Sequence, residues 1–97
     1  MAIETVPFDA AKHLGEHADQ IELISDAMAT GDPEYIKNAL NVVARARGMT
    51  SIAQSAGVSR DTLYKALSGK GDPRMSTLTG VLKALGLRMS VEADPPS

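Results

Sequence analysis

Apolar residues recur at three- and four-residue intervals along most of this chain, which is the spacing of helices that bury one face. Such stripes run through residues 16–29, 33–46 and 74–85, and two shorter ones lie within residues 49–69. Residues 9–14 fit a short additional helix, which Gly15 is expected to end. The pattern therefore predicts an all-α domain of about five helices.

The apolar spacing changes to two near the carboxyl end, where Leu87, Met89 and Val91 alternate with polar residues. This alternation is typical of a β-strand, so we predict a C-terminal strand that extends to about residue 93. A strand needs a neighbour that pairs with its backbone groups. We expect that neighbour to be either the N-terminal arm, residues 1–7, or the same strand of a second copy.

Residues 49–69, MTSIAQSAGVSRDTLYKALSG, hold the most informative local pattern. Ala53 leaves room for one helix to cross another, and Gly57 can enter a positive-φ turn without a steric penalty. Ser59 is placed to cap the second helix by accepting from an amide two or three residues later. Leu63 and the aliphatic residues after it give that helix one buried stripe. The stretch predicts two short helices joined by a tight turn, with a polar outer face.

This stretch resembles the helix-turn-helix of the lambda-repressor-like (Xre-type) family in its small residue, turn glycine and trailing aliphatic residues. The wider runs GDPEYIKNALNVVARARGMTSIAQ, SRDTLYKALSGKGDP and LKALGLRMSVE are similar to HigA-like antitoxins, the antidote proteins of bacterial addiction modules. The likeness covers about residues 5–93. It implies a lambda-repressor-like domain that ends in a strand.

The resemblance also implies two partners. Proteins of this kind neutralise a small basic RelE/ParE-like toxin that cleaves messenger RNA, and they repress their own operon as dimers on operator DNA. The predicted strand stands where the lambda-repressor pattern has a fifth helix, which favours a homodimer formed by strand pairing or by N-terminal exchange. On this interpretation residues 1–31 are an arm and acidic helices that contact toxin or a second copy. Residues 32–93 are the DNA-binding domain, and residues 94–97 are a flexible tail.

The net charge of −2 conceals a separation of charges along the chain. Residues 1–34 hold eight acidic side chains against Lys12 alone, a net charge of −7. Residues 45–88 hold eight basic side chains against Asp61 and Asp72, a net charge of +6. This asymmetry favours a basic surface for phosphates and an acidic surface for a basic partner. The alternative for the acidic half is a solvated helix that only aids solubility.

A major-groove contact needs exposed polar residues on and around the second short helix. We predict DNA contacts from Thr50, Ser51, Gln54, Ser59, Arg60, Asp61, Tyr64, Lys65, Lys70 and Arg74. Arg60 can donate to both O6 and N7 of guanine, while Asp61 either orients Arg60 or accepts from a cytosine amino group. Tyr64 either packs on the neighbouring helix or contacts DNA. Arg45 and Arg47 either complement a helix dipole or contact phosphate.

Catalysis and cofactor binding receive little support from the sequence. His13 and His17 belong to an H-x-x-E-H pattern, but we expect Gly15 to interrupt the helix, and a short helical chain offers no substrate cleft. There is no cysteine, no Gly-x-Ser-x-Gly run and no phosphate-binding glycine spacing. We therefore expect no enzyme activity, no cofactor and no metal, and two surface histidines.

The sequence also bears on location and on competing functions. No apolar run approaches the ~20 residues of a membrane span, and no basic-then-apolar leader opens the chain. We expect a cytoplasmic protein without a membrane partner. Two alternatives to an antitoxin remain open: a stand-alone transcriptional repressor that has no toxin, and a protein-interaction module that does not read DNA.

Overall fold

The computed structural model describes residues 7–95, and it describes side chains from residue 18 onward. This range contains five α-helices: α1 (Pro7–Thr30), α2 (Pro33–Arg47), α3 (Met49–Ala56), α4 (Arg60–Ala66) and α5 (Met75–Ala84). No strand occurs within it. The prediction of an all-α domain of about five helices is confirmed.

Helix α1 is one element of 24 residues, so the prediction of two helices separated at Gly15 is wrong. A glycine inside a helix costs about 1 kcal/mol relative to alanine. Ending one helix and nucleating another costs more, because several residues must be fixed before the first new hydrogen bond forms. Although α1 is long, neither it nor any other described helix is apolar enough to cross a membrane.

Helix α2 is capped at both ends by the residues that flank it. The Asp32 carboxylate accepts a hydrogen bond from the amide of Glu34 at 3.0 Å. Pro33 occupies the first helical position, where its missing N–H is no loss. At the other end Gly48 takes φ 108° and donates its amide to carbonyls of the last turn. These ends fix where α2 stops and where α3 begins.

Helix α3 lies at the centre of the fold, because it packs against α2, α4 and α5, while α1 packs on α2. The buried apolar side chains form a single cluster, to which α1 contributes Ile24 and Ala27. Helices α3 and α5 come close together at Gly80, where an added Cβ would lie 3.1 Å from the Cα of Ala56. The other members of the cluster are Ala39, Leu40, Val43, Ala44, Met49, Ile52, Ala53, Leu63, Leu67, Val81, Leu82 and Leu85.

The predicted C-terminal strand does not form in the described chain, where residues 87–95 are irregular. Gly86 takes φ 80°, and the amide of Leu87 donates to the carbonyl of Leu82 at 2.8 Å, which closes α5. Beyond Leu87 no backbone group bonds to another backbone group of the described residues. A strand without a ladder partner has unsatisfied backbone groups, so it does not persist. Two partners for the strand were predicted. Residues 1–6 of the first, the N-terminal arm, lie outside the described range. The second, another copy of the chain, stays a prediction.

Candidate nucleic-acid interface

A three-residue turn sets α3 and α4 against each other. Gly57 adopts the left-handed conformation with φ 76°, as its position predicts. The amide of Val58 donates to the carbonyl of Ala53 at 3.0 Å, which closes the end of α3. Ala53 is buried, as expected for a small side chain where two helices pack together. The prediction of two short helices joined by a tight turn is confirmed.

Helix α4 is fixed at its start by a cap and along its length by buried leucines. The Ser59 hydroxyl accepts a hydrogen bond from the amide of Thr62 at 3.0 Å, which satisfies one of the free donors of the first turn. Leu63 and Leu67 are buried, and they hold the helix on the core. With one face held in this way, the opposite face of α4 is presented to solvent.

The predicted DNA-contacting residues lie on the surface of this unit and its flanks. Tyr64 is half-buried, and the other nine are exposed: Thr50, Ser51, Gln54, Ser59, Arg60, Asp61, Lys65, Lys70 and Arg74. Three of them, Thr50, Arg60 and Tyr64, line one open concavity together with Arg45 at the end of α2. The start of α3 borders this concavity, because Gly48 and Met49 also line it. The fold thus brings parts of α2, α3 and α4 into one basic surface.

The Tyr64 ring carries two guanidinium groups. The Cζ atom of Arg60 lies 5.4 Å from the ring centroid, and the Cζ atom of Arg45 lies 5.6 Å from it. Both distances are within the range of cation–π attraction. An Arg60 N–H also donates to the Tyr64 hydroxyl at 3.5 Å, a long hydrogen bond. Tyr64 therefore packs against two charged side chains and holds them on the outer face of the domain.

These contacts change the acidity of the tyrosine. The pKa of Tyr64 is lowered from its ordinary value, chiefly because Arg60 donates a hydrogen bond to its hydroxyl. Partial burial opposes this effect, and the positive charges of Arg60 and Arg45 add to it. The direction of the shift is that expected for a phenol that accepts a hydrogen bond from one guanidinium and lies near a second.

Asp61 has a neighbour that the sequence analysis did not name. Its carboxylate forms an ion pair with Lys65, one helical turn later, at 3.2 Å. Both side chains are more than three-quarters exposed, so the pair contributes little to stability. In this structure Tyr64 contacts the Arg60 side chain, while Asp61 offsets part of the charge of Lys65.

Lys37 is a residue that the sequence reasoning missed. Its ammonium group donates to the carbonyls of Gly69 and Gly71 at 2.9 and 2.6 Å, and it pairs with Glu34 at 3.1 Å. The bonded loop carries Lys70 and leads to Arg74, two of the predicted contacts, so Lys37 holds that loop on α2. The sequence feature that could have indicated this role is the glycine-rich loop. Its backbone carbonyls need hydrogen-bond donors, and such donors must come from elsewhere in the chain.

The same loop is held from its other side by a close approach. A Cβ added at Gly71 would overlap the backbone carbonyls of Lys65 and Ala66 at the end of α4. Only a glycine allows the loop to lie this near to the helix. The end of α4 and the loop after it are therefore packed directly against each other.

No arrangement for metal binding is present among the described side chains. Residues 18–95 contain no group of three or more His, Asp or Glu side chains close enough to hold an ion. The side chains of His13 and His17 lie outside the described range, and the two residues stand on the continuous helix α1.

Comparison with known proteins gives one clear result. Residues 4–93 match the model of a protein family described as "Probable addiction module antidote protein". A protein of Haemophilus influenzae that is described only as "Uncharacterized protein" is 42% identical to the chain over 85 residues, which is 88% of each sequence. No solved structure matches the chain at a significant level.

Proposed function

The chain belongs to the family of probable addiction module antidote proteins, and from this premise we propose that it is the antitoxin of a type II toxin–antitoxin module. On this proposal it binds operator DNA as a dimer through α3 and α4, and it represses its own operon. It also neutralises a RelE/ParE-like toxin. The proposal takes the domain to be a lambda-repressor-like helix-turn-helix of the HigA-like type.

The observation that carries the DNA-binding half is the position of Arg60. It is the first residue of α4, beside the cap Ser59, and its guanidinium lies over the Tyr64 ring at cation–π distance. The N-terminal residues of a recognition helix are those that reach base edges in the major groove. An arginine held over an aromatic ring loses less freedom on binding than a free one, which favours affinity. Arg60 is therefore the residue that we assign to guanine.

The surrounding side chains suit contacts with the DNA backbone. Thr50 and Ser51 are exposed in the first turn of α3, where free amide groups favour a phosphate. Lys70 and Arg74 extend the basic surface beyond α4, on the loop that Lys37 anchors. Such contacts set orientation and salt dependence, whereas Arg60 supplies base specificity. A dimer would present two copies of this surface at half-sites ~34 Å apart on one face of the duplex.

The test of this half is a fluorescence-anisotropy titration of a labelled duplex from the gene's own promoter. We expect Arg60→Ala to weaken binding by about 5- to 150-fold, since a bidentate arginine–guanine contact contributes about 1–3 kcal/mol. Lys83→Ala is the matched control, because Lys83 is an exposed base on α5 outside the predicted contacts. Equal affinities for the wild type and both variants would refute DNA reading by α4. Absence of specific binding by the wild type would favour a protein-interaction module.

The toxin-binding half rests on the family and on the charge of α1. Asp19, Glu22 and Asp26 are exposed at three- and four-residue spacing, so they share one side of the helix. An acidic helix face complements a basic toxin and speeds the encounter between the two proteins. We propose that this face of α1 contacts the toxin.

Removing α1 is not a usable test, because Ile24 and Ala27 belong to the core. Reversing the three charges with Asp19→Lys, Glu22→Lys and Asp26→Lys leaves the buried side of the helix intact. We expect this triple variant to lose protection of cells against the product of the adjacent reading frame and to keep promoter binding. The neutral series Asp19→Asn, Glu22→Gln and Asp26→Asn should give an intermediate loss. Full protection by the triple variant would contradict toxin docking on α1.

A further inference from the structure

The segment after α5, residues 87–93, exposes apolar side chains and backbone groups that could contact another molecule. Leu87 is half-buried, but Met89 is 49% exposed and Val91 is 97% exposed. The backbone groups after Leu87 make no hydrogen bond to the backbone of the described residues. Exposed apolar side chains beside unpaired backbone groups form an edge that another strand can join.

This segment runs along an apolar groove against the first helix. Ile21 and Met28 of α1, together with Leu82 of α5, line the groove with Leu87 and Met89. The Ile21 side chain is more exposed than that of a core residue. A partner that pairs with the segment would therefore cover both its backbone and part of this apolar surface.

We propose that a second copy of this chain is the partner, with the two segments paired as antiparallel strands about a two-fold axis at Ser90. In this register Arg88 lies directly opposite Glu92 of the second copy, and the symmetry gives that pair twice. Met89 lies opposite Val91 of the second copy on the other face. Shifting the axis by half a residue would place apolar side chains opposite charged ones. The register at Ser90 also keeps Pro95, which lacks an N–H, outside the ladder.

The charges of the segment favour a second copy over a basic toxin. Arg88 and Glu92 are both exposed, and they balance each other, so the segment has no net charge to select a basic partner. Its charges do complement its own sequence read in the opposite direction, and opposite charges on directly facing residues stabilise an antiparallel pair. This self-complementarity is the property that an isologous dimer interface requires.

The inference deepens the proposed function, since two-fold operator binding needs a dimer, but self-association can be measured without DNA or toxin. Sedimentation equilibrium of the full chain gives the dimer dissociation constant. We expect Arg88→Glu and Glu92→Arg each to raise it by about 30-fold, because each variant replaces two attractive cross-strand pairs by two repulsive ones. Lys83→Glu changes the net charge as Arg88→Glu does but lies outside the paired segment, and it should leave the constant within about threefold.

Mixing the two single variants provides the sharper test. A heterodimer of Arg88→Glu and Glu92→Arg chains again has opposite charges at both pairs, so it should form with an affinity near that of the wild type. The double variant, which carries both changes in one chain, should also recover. A monomeric wild type, unchanged single variants, or a mixture that fails to associate would each overturn the proposal. Single variants that keep self-association but lose toxin binding would overturn it in favour of the toxin as the occupant. If the protein dimerises in another way and still binds its promoter, the proposed interface is wrong but the proposed function stands.

Discussion

Replacing Lys37 by methionine tests the anchor of the loop that follows α4. Methionine keeps most of the side chain's length and apolar volume but removes the ammonium group. The change therefore deletes the hydrogen bonds to the carbonyls of Gly69 and Gly71 and the ion pair with Glu34. It adds no bulk to the buried face of α2.

The expected cost follows from the surroundings of each lost contact. A hydrogen bond from a charged donor contributes about 1.5–3 kcal/mol. The two bonds to carbonyls are partly buried, so water restores some of that loss in the variant. The Glu34 side chain is mostly exposed, and its ion pair adds little. The variant also avoids the desolvation of an ammonium group, so the expected loss is about 2 kcal/mol of unfolding free energy.

The assay is urea unfolding followed by circular dichroism, with Lys65→Met as the matched control. Lys65 forms its ion pair with Asp61 in solvent, so that variant should change the unfolding free energy by no more than about 0.5 kcal/mol. Promoter affinity should also fall in Lys37→Met, since the loop that carries Lys70 is released. A Lys37→Met protein as stable as the wild type, or more stable, would refute the anchoring role.

Three further changes test other contacts of the fold and the site. Ser59→Ala removes the cap of α4 and should lower the unfolding free energy by about 1 kcal/mol, measured by the same urea titration; no change would contradict the capping role. Gly80→Val forces a side chain against the backbone of α3 and should cost about 1–3 kcal/mol, whereas a stabilised variant would contradict the close approach. In a Tyr35→Phe background, ultraviolet titration follows Tyr64 alone, because the chain has two tyrosines. Arg60→Ala should then raise the pKa of Tyr64 toward its ordinary value, because the hydrogen bond that favours the ionised phenol is lost; an unchanged titration would refute that contact.

Local patterns predicted the local structure of the interface well. Gly57 and Ser59 act through the few residues next to them, so their turn and cap could be recognised from residue type and spacing. The burial of Leu63 in α4 and of Leu67 directly after it was predicted correctly for the same reason, since helical periodicity fixes which side faces the core. The exposed positions of the predicted contacts then follow from the buried ones.

Features that depend on distant parts of the chain were predicted poorly. Lys37 bonds to a loop more than thirty residues away, and nothing in its immediate sequence indicates this. The prediction at Gly15 was wrong for a different reason. Glycine often ends helices, and this tendency was given more weight than the free-energy cost of interrupting a helix. The alternation at residues 87–93 predicted a strand that does not form in the described chain, because a strand forms only when its backbone has a partner.

Co-purification of the chain with the product of the adjacent reading frame, first at moderate and then at high salt, tests the central claim most directly. The account predicts a stable stoichiometric complex that blocks the toxicity of the partner and that weakens as salt screens the acidic face of α1. Absence of any complex, with tight and salt-sensitive binding to its own promoter intact, would contradict the antitoxin assignment and leave a stand-alone repressor.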